Sequence, residues 1–174
     1  TEAKRRGMTV FFDPNLRPPL WKSPADMRDT LLAFAREADV VLPGLAEGRF
    51  LTGETAPEAI AEAFLKMGAR AAVVKTGPGG AYAATRSESF FCPAYRVDRI
   101  VDTVGAGDGF AAGVISALGE ELPLREAVRR GNAIGAIQLG FPGDNEGLPD
   151  RETLALFERD HGIRQKEESH GSLV

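Results

Sequence analysis

The chain has 174 residues, 43% hydrophobic and 26% charged, with a formal net charge of -4. That length supports one domain with its own core. The acidic balance argues against nucleic acid as a partner but not against a nucleotide, which needs only local positive groups. A single cysteine, Cys92, excludes a disulfide framework or a cysteine-ligated zinc within one chain and reads as a buried thiol. No apolar run reaches membrane-spanning length and no signal-peptide pattern opens the sequence, so the expectation is a cytoplasmic protein without a membrane partner.

Glu2 to Arg6 followed by Gly7 reads as the last turn of a helix, with cations at its C-terminal end and a glycine stop. Met8 to Phe12 is a short apolar run of strand type that leads into Asp13-Pro14-Asn15-Leu16-Arg17-Pro18-Pro19. In open parallel sheets, ligands bind beyond the carboxyl ends of strands. Arg17 at such an end would either fork onto a carboxylate or phosphate, or pair with Asp13 inside a rigid loop.

Ser23-Pro24 is a strong helix start, and Met27, Leu31, Leu32, Phe34 and Ala35 form an apolar face up to about Glu37. Asp39 to Leu42 is the next strand. Pro43-Gly44-Leu45-Ala46-Glu47-Gly48 comes at its end, and a short helix closes at Gly53. Ala56-Pro57 opens another helix, with Ile60, Ala63, Phe64 and Met67 facing the core and Gly68 ending it. Ala71 to Lys75 is a strand joined through Thr76-Gly77-Pro78-Gly79-Gly80 to Ala81 to Thr85, which on pattern alone is a glycine hairpin. Phe90 to Cys92 is a further short strand, and Val97 to Val101 is the strand-like run into Asp102.

The stretch Asp102-Thr103-Val104-Gly105-Ala106-Gly107-Asp108-Gly109-Phe110 reads as a strand end, a glycine turn and a helix start. Phe110, Val114, Ile115 and Leu118 fall at helical spacing after the turn. The first helical turn would present free N–H groups and the positive dipole end to an anion above Gly105-Ala106-Gly107. Asp108 in that turn either complements the dipole or has a chemical task, since a carboxylate beside a phosphate is repelled. Taking a proton from a hydroxyl is the task that fits. The turn is neither a Walker A loop, which needs Gly-Lys-Ser/Thr, nor a dinucleotide fingerprint, because Phe110 stands where the third glycine would be. Residues 124–139 form a second helix rich in small residues. Residues 141–149 form a loop, 151–160 a last helix, and 161–174 a polar tail expected to be disordered, with its two histidines solvated.

The order strand, helix, strand, helix, strand, hairpin, helices indicates a layered α/β domain, over 1–160, with a mainly parallel sheet. The run Asp102 to Gly113 resembles the C-terminal signature of the ribokinase-type (PfkB) carbohydrate kinases. Other stretches resemble the same family: Asp-Pro-Asn-Leu-Arg at 13–17, a strand followed by the Lys/Thr-x-Gly-x-x-Gly pattern of its nucleotide-phosphate loop, matched at Thr76, Gly77 and Gly80, and Gly131-Asn132-Ala133. Pro-Gly-x-x-Glu-Gly at 43–48 and Gly-Asp-x-Glu-Gly-Leu-Pro at 143–149 look like the branch acting on 2-keto-3-deoxygluconate, with fructokinases as the rival. Gly44 departs from the Asn usual in the family, so only Glu47 of that motif carries over. The resemblance covers the C-terminal half of the family alone, without the N-terminal part and lid.

The resemblance implies ATP-dependent phosphorylation of a sugar or sugar-acid hydroxyl. Asp108 would act as base, with Gly105, Ala106 and Gly107 as the anion turn. Asn15 and Arg17 would face the substrate, and Thr76, Gly77, Gly80 and Asn132 the nucleotide. Glu47 would act on Mg2+ through water. Asp102 would order the loop or hold a monovalent cation such as K+. A homo-oligomer is compatible with this reading. The alternative of another class is a nucleotide-binding fragment without kinase activity.

Overall fold

The structure, a computed structural model, describes residues 2–161. The polar stretch 162–174 lies outside the described residues. A mixed five-stranded sheet runs in the order β1 (Phe11–Phe12), β2 (Val40–Val41), β3 (Ala71–Lys75), β4 (Gly80–Thr85) and β5 (Ser89–Pro93). The first three strands are parallel, with Phe11 opposite Val40 and Val40 opposite Ala71. The last two add as antiparallel hairpins, Val74 facing Tyr82 and Ala81 facing Cys92.

Alternation along β3 builds the layers. Successive side chains of a strand point to opposite faces. Ala72 and Val74 therefore join a core with Met27, Leu31 and Leu32 of α2 (Pro24–Glu37), Leu51 of α3 (Leu45–Thr52) and Phe64 of α4 (Pro57–Met67). Ala71 and Val73 face the other side, against Phe110, Val114 and Ala117 of α5 (Ala106–Gly119) and Val128 of α6 (Leu124–Gln138). The result is an α/β/α sandwich, as the element order predicts.

Local signals place the helices. The Ser23 hydroxyl accepts the Asp26 N–H at 3.1 Å, with Pro24 in the first turn of α2. The single turn α1 (Glu2–Arg5) ends where Gly7 N–H bonds Lys4 at 3.0 Å. Asp150 caps α7 (Arg151–Asp160) by accepting the Thr153 N–H at 2.8 Å. Helices α5 and α6 meet through small residues. A Cβ on Gly113 would lie 2.7 Å from the Gly131 Cα, so the two backbones are as close as glycine permits.

Several expectations are corrected. Val97 to Val101 forms no strand. Ile100 and Val101 are exposed, and the Val101 N–H bonds the Leu139 carbonyl at 2.8 Å, so this run is tied to the end of α6 rather than to the sheet. Met8 lies outside β1 and is exposed. Phe34 is also exposed, though its ring lies 6.2 Å from that of Phe12, and Ile115 points to solvent. Ala63 and Met67 are half-buried. His161 is not free in solvent: its ring stacks on Phe157 at 4.1 Å, at the end of α7.

Candidate active site

The carboxyl ends of β1, β2 and β3 lie side by side, and each opens into one of the marked loops. Gly44, just past β2, bridges to Lys75 at the end of β3. The glycine turn reaches the same edge from α5. Gly105 is the N-cap of α5 at φ 75, a conformation that glycine adopts without strain. A Cβ there would lie 2.2 Å from the Asp144 carbonyl oxygen, because loop 141–149 packs over the turn. The first intrahelical bond is Gly109 N–H to Gly105 at 2.8 Å. The N–H groups of Ala106, Gly107 and Asp108 precede it and have no partner within the helix. Gly107 and Asp108 are exposed at this helix start. The arrangement can hold an anion with a carboxylate beside it.

A cavity of about 310 Å3 adjoins the turn, lined among others by Lys75, Gly77, Gly80, Ala106, Gly107 and Asn132. Its walls are mostly apolar, with Tyr95, Val97 and Ile100 on one side. A mostly apolar pocket with a few polar groups suits a flat ring joined to a charged group. The hairpin and the phosphate-loop readings of residues 76–80 are therefore compatible, since the turn that closes β3–β4 also lines the cavity. Thr76 spends its hydroxyl within that turn, donating to Gly80 at 2.9 Å. The Asn132 amide donates to the Cys92 and Pro93 carbonyls, both at 3.1 Å, which fixes the side chain at the cavity wall. Burial pushes the Cys92 thiol up, as a buried structural thiol requires.

Other marked residues are used as struts. The two Glu47 oxygens accept backbone N–H groups, from Gly44 at 2.6 Å and from Leu16 at 3.1 Å. Glu47 thus begins α3 and ties down the loop after β1. Asp102 accepts the N–H of Val104 at 3.1 Å and of Gly143 at 3.2 Å. Of the two readings of Asp102, these contacts favour loop ordering. The same two N–H groups hold its carboxyl below the usual carboxylate range. Asn15, at φ 45, and Arg17 are exposed on the loop after β1. Arg17 bonds the Leu16 carbonyl at 3.0 Å and not Asp13, so the pairing within that loop is not formed. Neither Asn15 nor Arg17 lines the cavity.

Two residues passed over in the sequence matter here. Lys75 donates to Asp13 at 2.5 Å and joins the ends of β3 and β1. Burial is the main influence on the Asp13 carboxyl and raises it; Lys75 opposes the rise, and Glu47 and Asp108 add to it. Gln138 is fully buried and holds loop 141–149 from both sides, donating to Gly143 and accepting from Gly147, each at 2.9 Å. A charge at the end of the otherwise apolar β3 was the available signal for Lys75. A wider groove of about 700 Å3 lies between α5, α6 and α7, away from the turn. Its arginines are paired: Arg130 and Arg151 with Glu120, and Arg129 with Glu126 and Glu158.

Comparison with known proteins supplies the lineage. The sequence profile of the pfkB family carbohydrate kinases matches residues 1–151. A 2-dehydro-3-deoxygluconokinase of Bacillus subtilis (strain 168) is 52% identical over 156 residues, which cover 90% of this chain and 48% of that protein. The crystal structure of a PfkB protein from Polaromonas sp. JS666 superposes with a TM-score of 0.76 at 47% identity, covering 88% of this chain and 48% of the other. A fructokinase from Vibrio cholerae O395, solved with fructose, ADP and a calcium ion bound, gives a TM-score of 0.83 at 30% identity, over 90% of this chain and 52% of the other. The chain spans about half the length of these relatives. With its glycine turn, its Asp108 and its layered sheet, this chain belongs to the pfkB family of carbohydrate kinases.

Proposed function

We propose that this chain supplies the nucleotide-phosphate and catalytic part of a sugar kinase that transfers the γ-phosphoryl group of ATP to the 6-hydroxyl of 2-keto-3-deoxygluconate. The observation that carries the reading is Asp108 in the first turn of α5, beside the N–H groups of a glycine turn whose Ala106 and Gly107 line an apolar cavity. The 52% identity to a 2-dehydro-3-deoxygluconokinase supports the substrate, which is the same sugar acid under another name.

Phosphoryl transfer asks the protein chiefly for positioning and charge stabilisation. The nucleotide ring would occupy the cavity against Asn132, Gly77 and Gly80, with Thr76 fixing that turn. The N–H groups of Ala106, Gly107 and Asp108 would hold phosphoryl oxygens as charge shifts onto them. Asp108 would orient the acceptor hydroxyl and take its proton. Arg17 is a natural partner for the carboxylate of a sugar acid, with Asn15 beside it. Glu47 fits a magnesium only through water, since both its oxygens already accept N–H groups. Bound with the phosphates, magnesium would supply neutralisation of their charge.

The test is ATP turnover by the chain with magnesium, across 2-keto-3-deoxygluconate, fructose, ribose and no sugar, with and without potassium. Turnover greatest with the sugar acid supports the reading, and a preference for fructose replaces the substrate. ATP raising the melting temperature without sugar-dependent turnover means a nucleotide-binding portion that does not phosphorylate alone.

A further inference from the structure

Among the described residues, two polar side chains are buried, Asn132 and Gln138, and both stand on α6. Asn132 is at the cavity wall. Gln138 packs against the first turn of α5 instead, where a Cβ on Gly109 would lie 3.7 Å from its own Cβ. Burying an amide costs unless it is hydrogen-bonded, and an apolar side chain would fill the same space without that cost. What the amide adds is a fixed register. It donates to the Gly143 carbonyl and accepts the Gly147 N–H, and only one orientation of the group meets both.

The end of α6 backs the glycine turn along its length. A Cβ on Gly135 would lie 3.0 Å from the Ala106 carbonyl oxygen. The Leu139 carbonyl accepts the Val101 N–H at 2.8 Å, which fixes the chain entering the turn. Gly105 is covered by the backbone of Asp144, inside the segment that Gln138 holds at both ends. A contact this close leaves no slack. A shift of that segment therefore moves Gly105, and the N–H groups of Ala106, Gly107 and Asp108 move with it.

We infer that Gln138 is a positioning residue for phosphate binding: by clamping Gly143 and Gly147 it seats Gly105, and so aims the N–H groups of Ala106, Gly107 and Asp108 at the phosphoryl oxygens. The inference rests on the phosphoryl-transfer reading. Gln138 does not line the cavity, so recognition of the nucleoside is independent of it. Coupling of this kind is reciprocal: if a clamped loop favours phosphate, bound phosphate favours the clamped loop by the same factor.

The experiment measures the affinity of the 174-residue chain for ATP and for adenosine by calorimetry, together with its melting temperature, in the wild type, Gln138→Met and Phe64→Leu. Gln138→Met keeps an unbranched side chain and removes both hydrogen bonds. Phe64→Leu loosens the core on the opposite face of the sheet and serves as the control for lost stability alone. The expected result for Gln138→Met is ATP binding weakened roughly tenfold or more with adenosine binding unchanged. Phe64→Leu should lower the melting temperature and leave the ratio of the two affinities as in the wild type. A second measurement needs no substitution: in the wild type, saturating ATP should slow hydrogen exchange at the Gly147 N–H severalfold, and saturating adenosine should not. An unchanged affinity ratio in Gln138→Met, or equal slowing by ATP and adenosine, would make Gln138 purely structural and overturn the inference. A wild-type chain that binds ATP no better than adenosine overturns the phosphoryl-transfer reading and this inference together, before any substitution is made.

Discussion

The Asp102 carboxylate accepts the Gly143 N–H at 3.2 Å across 41 residues of sequence, and so holds loop 141–149 against the glycine turn. The two backbone N–H groups at Asp102 favour its ionised form. A carboxyl held below its ordinary value contributes stability above the ordinary carboxylate range and loses it as pH falls through the lowered value. Asp102→Ala is therefore expected to speed hydrogen exchange over residues 141–149 at neutral pH, and acidification of the wild type should lower the protection of the same residues once the slower intrinsic exchange at low pH is divided out. Equal exchange in the two proteins at neutral pH would contradict this role.

Gln138 holds the same loop from beneath. In Gln138→Ala, the Gly143 carbonyl and the Gly147 N–H lose their partner in a buried setting. Unmet buried groups of this kind cost about 1–3 kcal/mol each, so for the two a loss of about 2–6 kcal/mol is expected in denaturant unfolding. Gln138→Glu keeps the acceptor for Gly147 but places a charge against the Gly143 carbonyl, and should be no better.

Gly105→Ala meets two obstacles at once. Its φ of 75 disfavours an L side chain, and the Asp144 backbone occupies the place of the new Cβ at 2.2 Å. Strained backbone of this kind costs on the order of 1–3 kcal/mol, and the loop must move as well. ATP protection against heat should fall far more than the melting temperature of the unliganded chain does.

Asp108 is exposed and its removal leaves no buried group unpaired. Asp108→Asn should therefore keep the fold and the nucleotide affinity. Loss of a general base typically lowers rate on the order of 100- to 10,000-fold, and sugar-dependent turnover should fall by that amount. An equal loss of ATP binding would point instead to a role in holding the turn.

The Tyr95 phenol donates to Glu158 at 3.4 Å and is pushed up to about 12, first by burial and then by the Glu158 charge. A group raised in the folded state contributes stability that is complete below its unfolded value, near 10, and is lost as pH rises through the folded one. Between pH 10 and 12, wild-type stability should fall more steeply than that of Tyr95→Phe. Parallel melting curves for the two proteins would rule out Tyr95 as the source.

Local chemistry was readable from the chain alone wherever the decisive partner lies a few residues away. Ser23-Pro24 starts α2, Gly68 ends α4, the glycine run closes the β3–β4 hairpin, and Gly105 to Asp108 opens α5, each through contacts within about one turn. The layered α/β reading came from those elements in order. What only the tertiary structure decided has partners far apart in sequence. Val97 to Val101 looks like a strand by composition, yet no neighbouring strand receives it, and α6 takes its backbone instead. Glu47 and Asp102 are acidic residues whose role as struts depends on which backbone N–H groups the fold brings to them. Lys75 and Asp13 lie 62 residues apart. Their pairing depends on β1, β2 and β3 aligning in parallel so that three carboxyl ends meet at one edge, and no local pattern encodes that alignment.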